Sequence, residues 1–291
     1  MKELYEHYRR YADVVELADR VLANEDSLDN SIRHDIRYYL CVSLARLRRK
    51  ERFFEEVHKI QGSEHDFLLG FYYRLQGRPE QALVRLQKAL KEPRTSQRAR
   101  RELVQVLIDV EDFENALALA KENYEDNPTN PYHIQAYFSC LINAPIRDNF
   151  EEILERLLSD LENIKSDNAR EMFGNLKSQF LAFQKADQNE ALNLIDEVIV
   201  QFPNSIYPKL SRFEISSRFN NVDEMKKAIS MLEKEIDSDS YFYKALIRAN
   251  CIFLARTGKI EEALRLIDRQ LRNYPESYRN KLYQKLETLS Y

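Results

Sequence analysis

Few residues in this chain have the type and spacing for chemistry. Glu55 and His58 stand three apart, the spacing with which one helix offers two ligands to a di-metal centre. That centre needs a second such pair and two further glutamates, and His7, His34, His65 and His133 are isolated in sequence. The glycines Gly62, Gly70, Gly77, Gly174 and Gly258 form neither a phosphate loop nor a dinucleotide fingerprint. Cys41, Cys140 and Cys251 are widely separated and odd in number, which defines no disulfide framework or zinc site. The chain therefore reads as non-catalytic, with no cofactor and no metal. What remains is arginine: a run RTSQRARRE over 94–102, and a cluster of Arg46, Arg48, Arg49, Lys50 and Arg52. Guanidinium forks suit carboxylates and phosphates, although a basic cluster at a helix end also satisfies terminal carbonyls and the helix dipole. RNA binding would require the two clusters to join on one face with open aromatic rings between them.

Composition limits the alternatives. Charged residues make up 32%, but 44 Lys+Arg against 48 Asp+Glu leave a net charge of −4, which gives no global attraction to nucleic acid or acidic lipid. The N-terminal stretch is charged from the outset, and no apolar run approaches membrane-spanning length, so a cytoplasmic protein without a membrane segment is expected. Few glycines and an abundance of Leu, Ala, Glu, Lys and Arg predict an all-α chain.

The elements that would carry these residues repeat. GRPEQALVRLQKAL (77–90), DFENALALAKENY (112–124), QNEALNLIDEVI (188–199) and GKIEEALRLIDRQL (258–271) rhyme about Ala82, Ala116, Ala191 and Ala263. Ala82 and Ala116 lie 34 positions apart, a period typical of stacked helix pairs. In residues 63–93, Leu69, Gly70 and Tyr73 share one side of a first helix, Gly77 and Pro79 punctuate a turn, and Ala82, Leu86 and Ala89 line a second. Pro128, Pro203 and Pro275 each follow a second helix, where proline cannot continue it. Two units break the rhyme, placing Ile153, after an Ala144-Pro145 interruption, and Met225 where alanine is expected.

This spacing resembles the tetratricopeptide repeat. The resemblance implies a right-handed α-solenoid of about six to seven helix-turn-helix repeats with a closing helix over 277–289. It would form a single array over 1–291: divergent hairpins in 1–62, the best-matching repeats in 63–128, degenerate repeats in 129–243, and a last repeat with the closing helix in 244–291. It further implies a protein or peptide partner held on the face of the first helices, through Glu64, Phe67, Phe71 and Arg74 and then Arg98, Arg101, Gln105 and Asp109. An aromatic floor beside guanidinium groups would suit an acidic segment. The family's clamp for chaperone tails uses asparagine where this chain has Phe71, Gln105 and Ser139, so that ligand is not implied. The aromatic groups Tyr5, Tyr8, Tyr11 and Tyr278, Tyr283, Tyr291 offer the ends as a second docking or oligomerisation surface. On this alternative the chain would be a subunit or sensor arm of a larger assembly.

Overall fold

The computed structural model describes residues 1–6, 10–143, 149–238, 240, 242–272, 274 and 276–289. His7, Tyr8, Ala144, Pro145, Pro275 and Tyr291 lie outside the described residues. Those described form α-helices and one 3-10 turn, with no strand among them. After α1 (Lys2–Glu6) and α2 (Tyr11–Leu22) come seven helix pairs. They are α3 (Asn30–Arg46) with α4 (Lys50–Val57), α5 (Gly62–Leu75) with α6 (Pro79–Ala89), and α7 (Pro93–Asp109) with α8 (Phe113–Asp126). Next are α9 (Pro131–Asn143) with α10 (Phe150–Glu162), and α11 (Asp167–Phe183) with α12 (Gln188–Gln201). The last are α13 (Tyr207–Arg218) with α14 (Val222–Glu233), and α15 (Tyr243–Arg256) with α16 (Ile260–Gln270). A final helix, α17 (Glu276–Leu289), follows.

One backbone device recurs in every pair. The turn from first to second helix contains a residue in the left-handed region, with φ between 52° and 78°: Arg48, Gly77, Glu111, Asn149, Ala186, Asn220 and Gly258. Five positions after each stands a residue of the second helix with no exposed surface: Phe53, Ala82, Ala116, Leu154, Ala191, Met225 and Ala263. At Gly77 the turn closes with Gly77 N–H donating to Arg74 O and Arg78 N–H donating to Tyr73 O. Arg48, Glu111, Asn220 and Gly258 repeat this pattern, the six-to-one and five-to-two bonds that satisfy the last carbonyls of a helix. The common register corrects one expectation: Leu154, not Ile153, occupies the buried position of α10. Leu154, Leu157 and Leu161 form its buried stripe at helical spacing, and Ile153 falls beside it.

The second device is the close helix crossing. Axes of packed helices normally lie about 8–10 Å apart, and the nearest approaches need a small residue. A Cβ on Gly70 would sit 2.6 Å from Leu86 Cγ, and one on Gly174 would sit 2.3 Å from Val198 Cγ2. Gly174 thus supplies the small residue of α11.

The chain divides into two compact units, Met1–Leu119 with Asp239–Tyr241, and Ala120–Ser238 with Phe242–Tyr291. The first has one continuous core, built on Leu40, Leu44, Phe53, Phe67, Leu68, Ala82 and Leu86. In the second, successive cores centre on Ala191 and Ile195, on Phe213 and Met225, and on Cys251 and Ala263. All three cysteines are buried and unpaired. Burial pushes the thiols of Cys140 and Cys251 up to about 12, which keeps them protonated. Among the described residues no helix is long and apolar enough to cross a membrane.

Two stability predictions follow from these devices. A non-glycine residue in the left-handed region carries about 1–2 kcal/mol of strain. Ala186→Gly is therefore expected to stabilise the chain by about 0.5–1 kcal/mol net of glycine's greater unfolded entropy, seen as a higher urea midpoint. A lower midpoint would contradict this account of the turn. Gly70→Ala should instead destabilise by about 1–3 kcal/mol through overpacking against Leu86, outweighing the roughly 1 kcal/mol that alanine gains in helix propensity. Thermal melting of the two variants side by side tests both signs.

Candidate functional site

Within the first unit α5 packs against both α3 and α7. Glu64, Phe67, Phe71 and Arg74 recur at helical spacing along α5, so they form one stripe facing the groove between its neighbours. From α3 come His34, Tyr38 and Arg46. From α7 come Arg98, Arg101 and Glu102.

The structure places the expected residues together but gives the aromatics another role. Phe67 and Phe71 are only 2% and 3% exposed. They stack on one another at 6.2 Å between ring centroids, and Tyr38 stacks on Phe67 at 6.3 Å. Guanidinium groups cover them: Arg46 lies 5.1 Å and Arg74 5.7 Å from the Phe71 ring centre, and Arg98 lies 4.6 Å from that of Tyr38. The expected aromatic floor is therefore roofed by arginines, and the groups that meet solvent are cationic. Such contacts contribute about 0.5–2 kcal/mol each, more when desolvated.

Two nearly buried carboxylates hold the arginines in position. Glu64 Oε2 lies 2.6 Å from His34 Nε2, and Glu64 Oε1 lies 3.6 Å from Arg98 Nη1. Arg74 Nε donates to Glu102 Oε2 at 2.6 Å, while Arg101 Nη2 reaches Glu102 Oε1 at 3.4 Å. Burial pushes the Glu102 carboxyl upward, but Arg74, Arg101 and Arg46 together outweigh it and hold the group below the ordinary 4.5, so it stays ionised. Burial raises the Tyr38 phenol well above its ordinary value, so that ring remains neutral beneath Arg98. Arg98 and Arg101 keep 44% and 40% of their side chains exposed, whereas Arg74 keeps 12%. Gln105 is half-buried one turn beyond Arg101, and Asp109 is exposed at the end of α7.

His34, Tyr38, Arg46 and Glu102 were not singled out for this face from sequence. Glu102 stands four residues after Arg98 and next to Arg101, a spacing that on one helix reads equally as a solvated ion pair. Arg46 read as part of a helix-end cluster. Within that cluster Arg52 pairs with Asp19 of α2 instead. The end-group tyrosines among the described residues are packed against neighbours. Tyr5 contacts Tyr11 at 5.3 Å and Tyr39 at 5.9 Å, and Tyr283 donates to Asp268 Oδ1 at 2.5 Å. Among the described residues no three His, Cys, Asp or Glu side chains come together as metal ligands.

No protein-family model matches the chain, and no curated protein is similar enough to count as a relative. Solved structures share its fold. A tetratricopeptide repeat protein from Parabacteroides merdae superposes with a TM-score of 0.50, covering 96% of this chain and 99% of that one at 13% identity. A tetratricopeptide repeat protein from Thermus thermophilus matches with a TM-score of 0.41, covering 78% of this chain and 98% of that one at 16% identity. The chain is an all-α helical-repeat protein. Its fold is tetratricopeptide-like.

The ionised state of Glu102 has a pH consequence. A carboxyl whose folded pKa lies below its unfolded value of about 4.5 contributes stability above that pH, and the contribution is lost as pH falls through the folded value. The native chain should therefore lose part of its stability on acidification below pH 4.5, and Glu102→Gln should lose less over the same interval. Urea midpoints at neutral pH and at about pH 3.5 measure the difference. Equal losses in the two proteins would remove Glu102 from the acid response.

Proposed function

We propose that the chain is a non-catalytic, cytoplasmic scaffold that binds an acidic segment of a partner polypeptide on the α3–α5–α7 face. The observation that carries this reading is the state of Arg98 and Arg101. Both belong to one helix, three residues apart and hence about 5–6 Å apart at Cβ. Each is oriented by a nearly buried glutamate at a distance longer than an optimal ion pair, and each keeps two-fifths of its surface in solvent. A guanidinium held this way has lost part of its conformational freedom before the ligand arrives, which lowers the cost of binding. Arg74, nearly buried and closely bonded to Glu102, positions Arg101's partner. Phe67 and Phe71 support the guanidiniums from beneath, Glu64 aims Arg98, and Gln105 adds a neutral polar group at the edge.

The tetratricopeptide-like fold supports a scaffold reading, because stacked helix pairs present long surfaces for other polypeptides. The covered rings speak against RNA, which would need open faces for stacking. The packed state of the described end tyrosines gives the terminal docking alternative no open patch.

Charge reversal tests the site. The double substitution Arg98→Glu and Arg101→Glu should weaken binding of a fluorescein-labelled peptide of alternating glutamate and alanine by at least about tenfold, since one charge-assisted bond is worth about 1.5–3 kcal/mol. Raising salt should weaken the native complex in parallel. Unchanged anisotropy titrations in the reversed protein would remove these arginines from the site.

A further inference from the structure

The second unit carries a different concentration of charge at the solvent edge of its Phe213–Met225–Ile252 core. Ala249 and Ile252 of α15 are buried in that core, and Leu289 of α17 packs against it. Arg248 and Arg256 lie one turn before and one turn after Ile252, and Lys285 lies one turn before Leu289. Helical spacing therefore sets all three cations around the contact between α15 and α17. Glu214 of α13, next to the buried Phe213, is the acidic group among them. Crowding by the surrounding helices, Arg248 and Arg256 lower the Lys285 ammonium, while Glu214 opposes them. Lys285 nevertheless keeps contact with solvent.

The two buried cations of α13 are matched. Arg212, buried in α13, donates from Nε to Asp196 at 2.6 Å and from Nη2 to Glu224 at 2.5 Å. Lys209 bonds Glu235 and the Pro203 carbonyl. By contrast, none of Arg248, Arg256 and Lys285 is held in an ion pair by a described residue, and Arg256 Nε is buried without a hydrogen-bond acceptor. At Lys285 two like charges, Arg248 and Arg256, are opposed by Glu214 alone, which leaves positive charge in excess. A phosphomonoester carries about −1.5 to −2 at neutral pH and offers three acceptor oxygens, whereas a carboxylate would leave the cluster under-neutralised.

We infer that Arg248, Arg256 and Lys285 form a site for a phosphomonoester, supplied by a phosphorylated side chain of a partner segment. The site is independent of the face on α3, α5 and α7.

The test uses the full chain and three labelled alanine-based pentapeptides with phosphoserine, aspartate or serine at the centre. The phosphoserine peptide should bind at least about tenfold more tightly than the aspartate peptide, and Arg248→Ala, Arg256→Ala and Lys285→Gln should each weaken it by about tenfold. Arg256→Lys should retain part of the binding. Arg265→Ala, on exposed α16, and the Arg98, Arg101 reversal should leave it unchanged, which separates failure here from failure of the acidic-segment site. Circular dichroism melts check that the variants fold. Displacement of the peptide by equimolar inorganic phosphate would support the site and assign it to free phosphate instead. Equal binding of the phosphoserine and aspartate peptides, or native affinity in all three variants, would overturn the inference.

Discussion

The left-handed residue between paired helices is the constraint on which the rest of the structure depends. It stands five positions before the fully buried residue of the second helix in all seven pairs. In five of the seven pairs the same two hydrogen bonds end the first helix, and in all seven the second helix brings a small or apolar residue to the crossing at the same distance from the turn. Where that residue is alanine, the helices approach closely. Where it is Phe53, Leu154 or Met225, the partner helix must accommodate more volume. A left-handed residue at a constant position with a variable crossing residue explains how units with poor sequence likeness remain members of one series.

Placing the first helices α3, α5 and α7 side by side has an electrostatic consequence. A buried carboxylate is costly unless cations and hydrogen bonds compensate it. Glu102 meets that condition through Arg74, Arg101 and Arg46, and Glu64 through His34 and Arg98. The exchange works in both directions. The carboxylates are stabilised by the arginines, and the arginines are held over aromatic rings instead of sampling solvent. Removing Glu102 would therefore loosen several guanidiniums at once, and removing Glu64 would release Arg98 and His34, so neither carboxylate behaves as an isolated surface pair.

The helix pairs were legible because burial imposes a pattern on residue type. The alanines at 82, 116, 191 and 263 are small because the crossings at those points are close. The turn residues were not legible. Gly77 and Gly258 announce the left-handed conformation, but Arg48, Glu111 and Asn220 adopt it where hydrogen bonds at the helix end impose it, and Ala186 adopts it without that pair of bonds. The slip from Leu154 to Ile153 has the same origin, since Asn149 marks that turn and carries no strong sequence signal. For the candidate face, the resemblance gave the direction of Phe67 and Phe71 but not what lies over them. Coverage depends on Arg46 and Arg74 from two helices, and contacts between helices have no fixed sequence spacing. Glu102 was hidden for a related reason: on a highly charged helix, a glutamate beside arginines looks solvated until the neighbouring helix buries it.

Charge matching separates cations that maintain the fold from cations left over for a ligand. Arg212 is nearly inaccessible, and its fork is shared between Asp196 and Glu224, so its interaction capacity is consumed in tying α12, α13 and α14 together. Arg74 is in the same position with Glu102. Arg98 and Arg101 are intermediate: each has a partner, but at long range and with much of the side chain open. Arg248, Arg256 and Lys285 stand at the other extreme, set around the α15–α17 contact with Glu214 as the acidic group that acts on Lys285. Folding alone gives no reason to gather three like charges around the α15–α17 contact, since apolar packing at Ile252 and Leu289 already joins those helices, and mutual repulsion opposes the arrangement. Their convergence is an electrostatic cost that the helix packing does not itself require, and binding of a dianion would offset it.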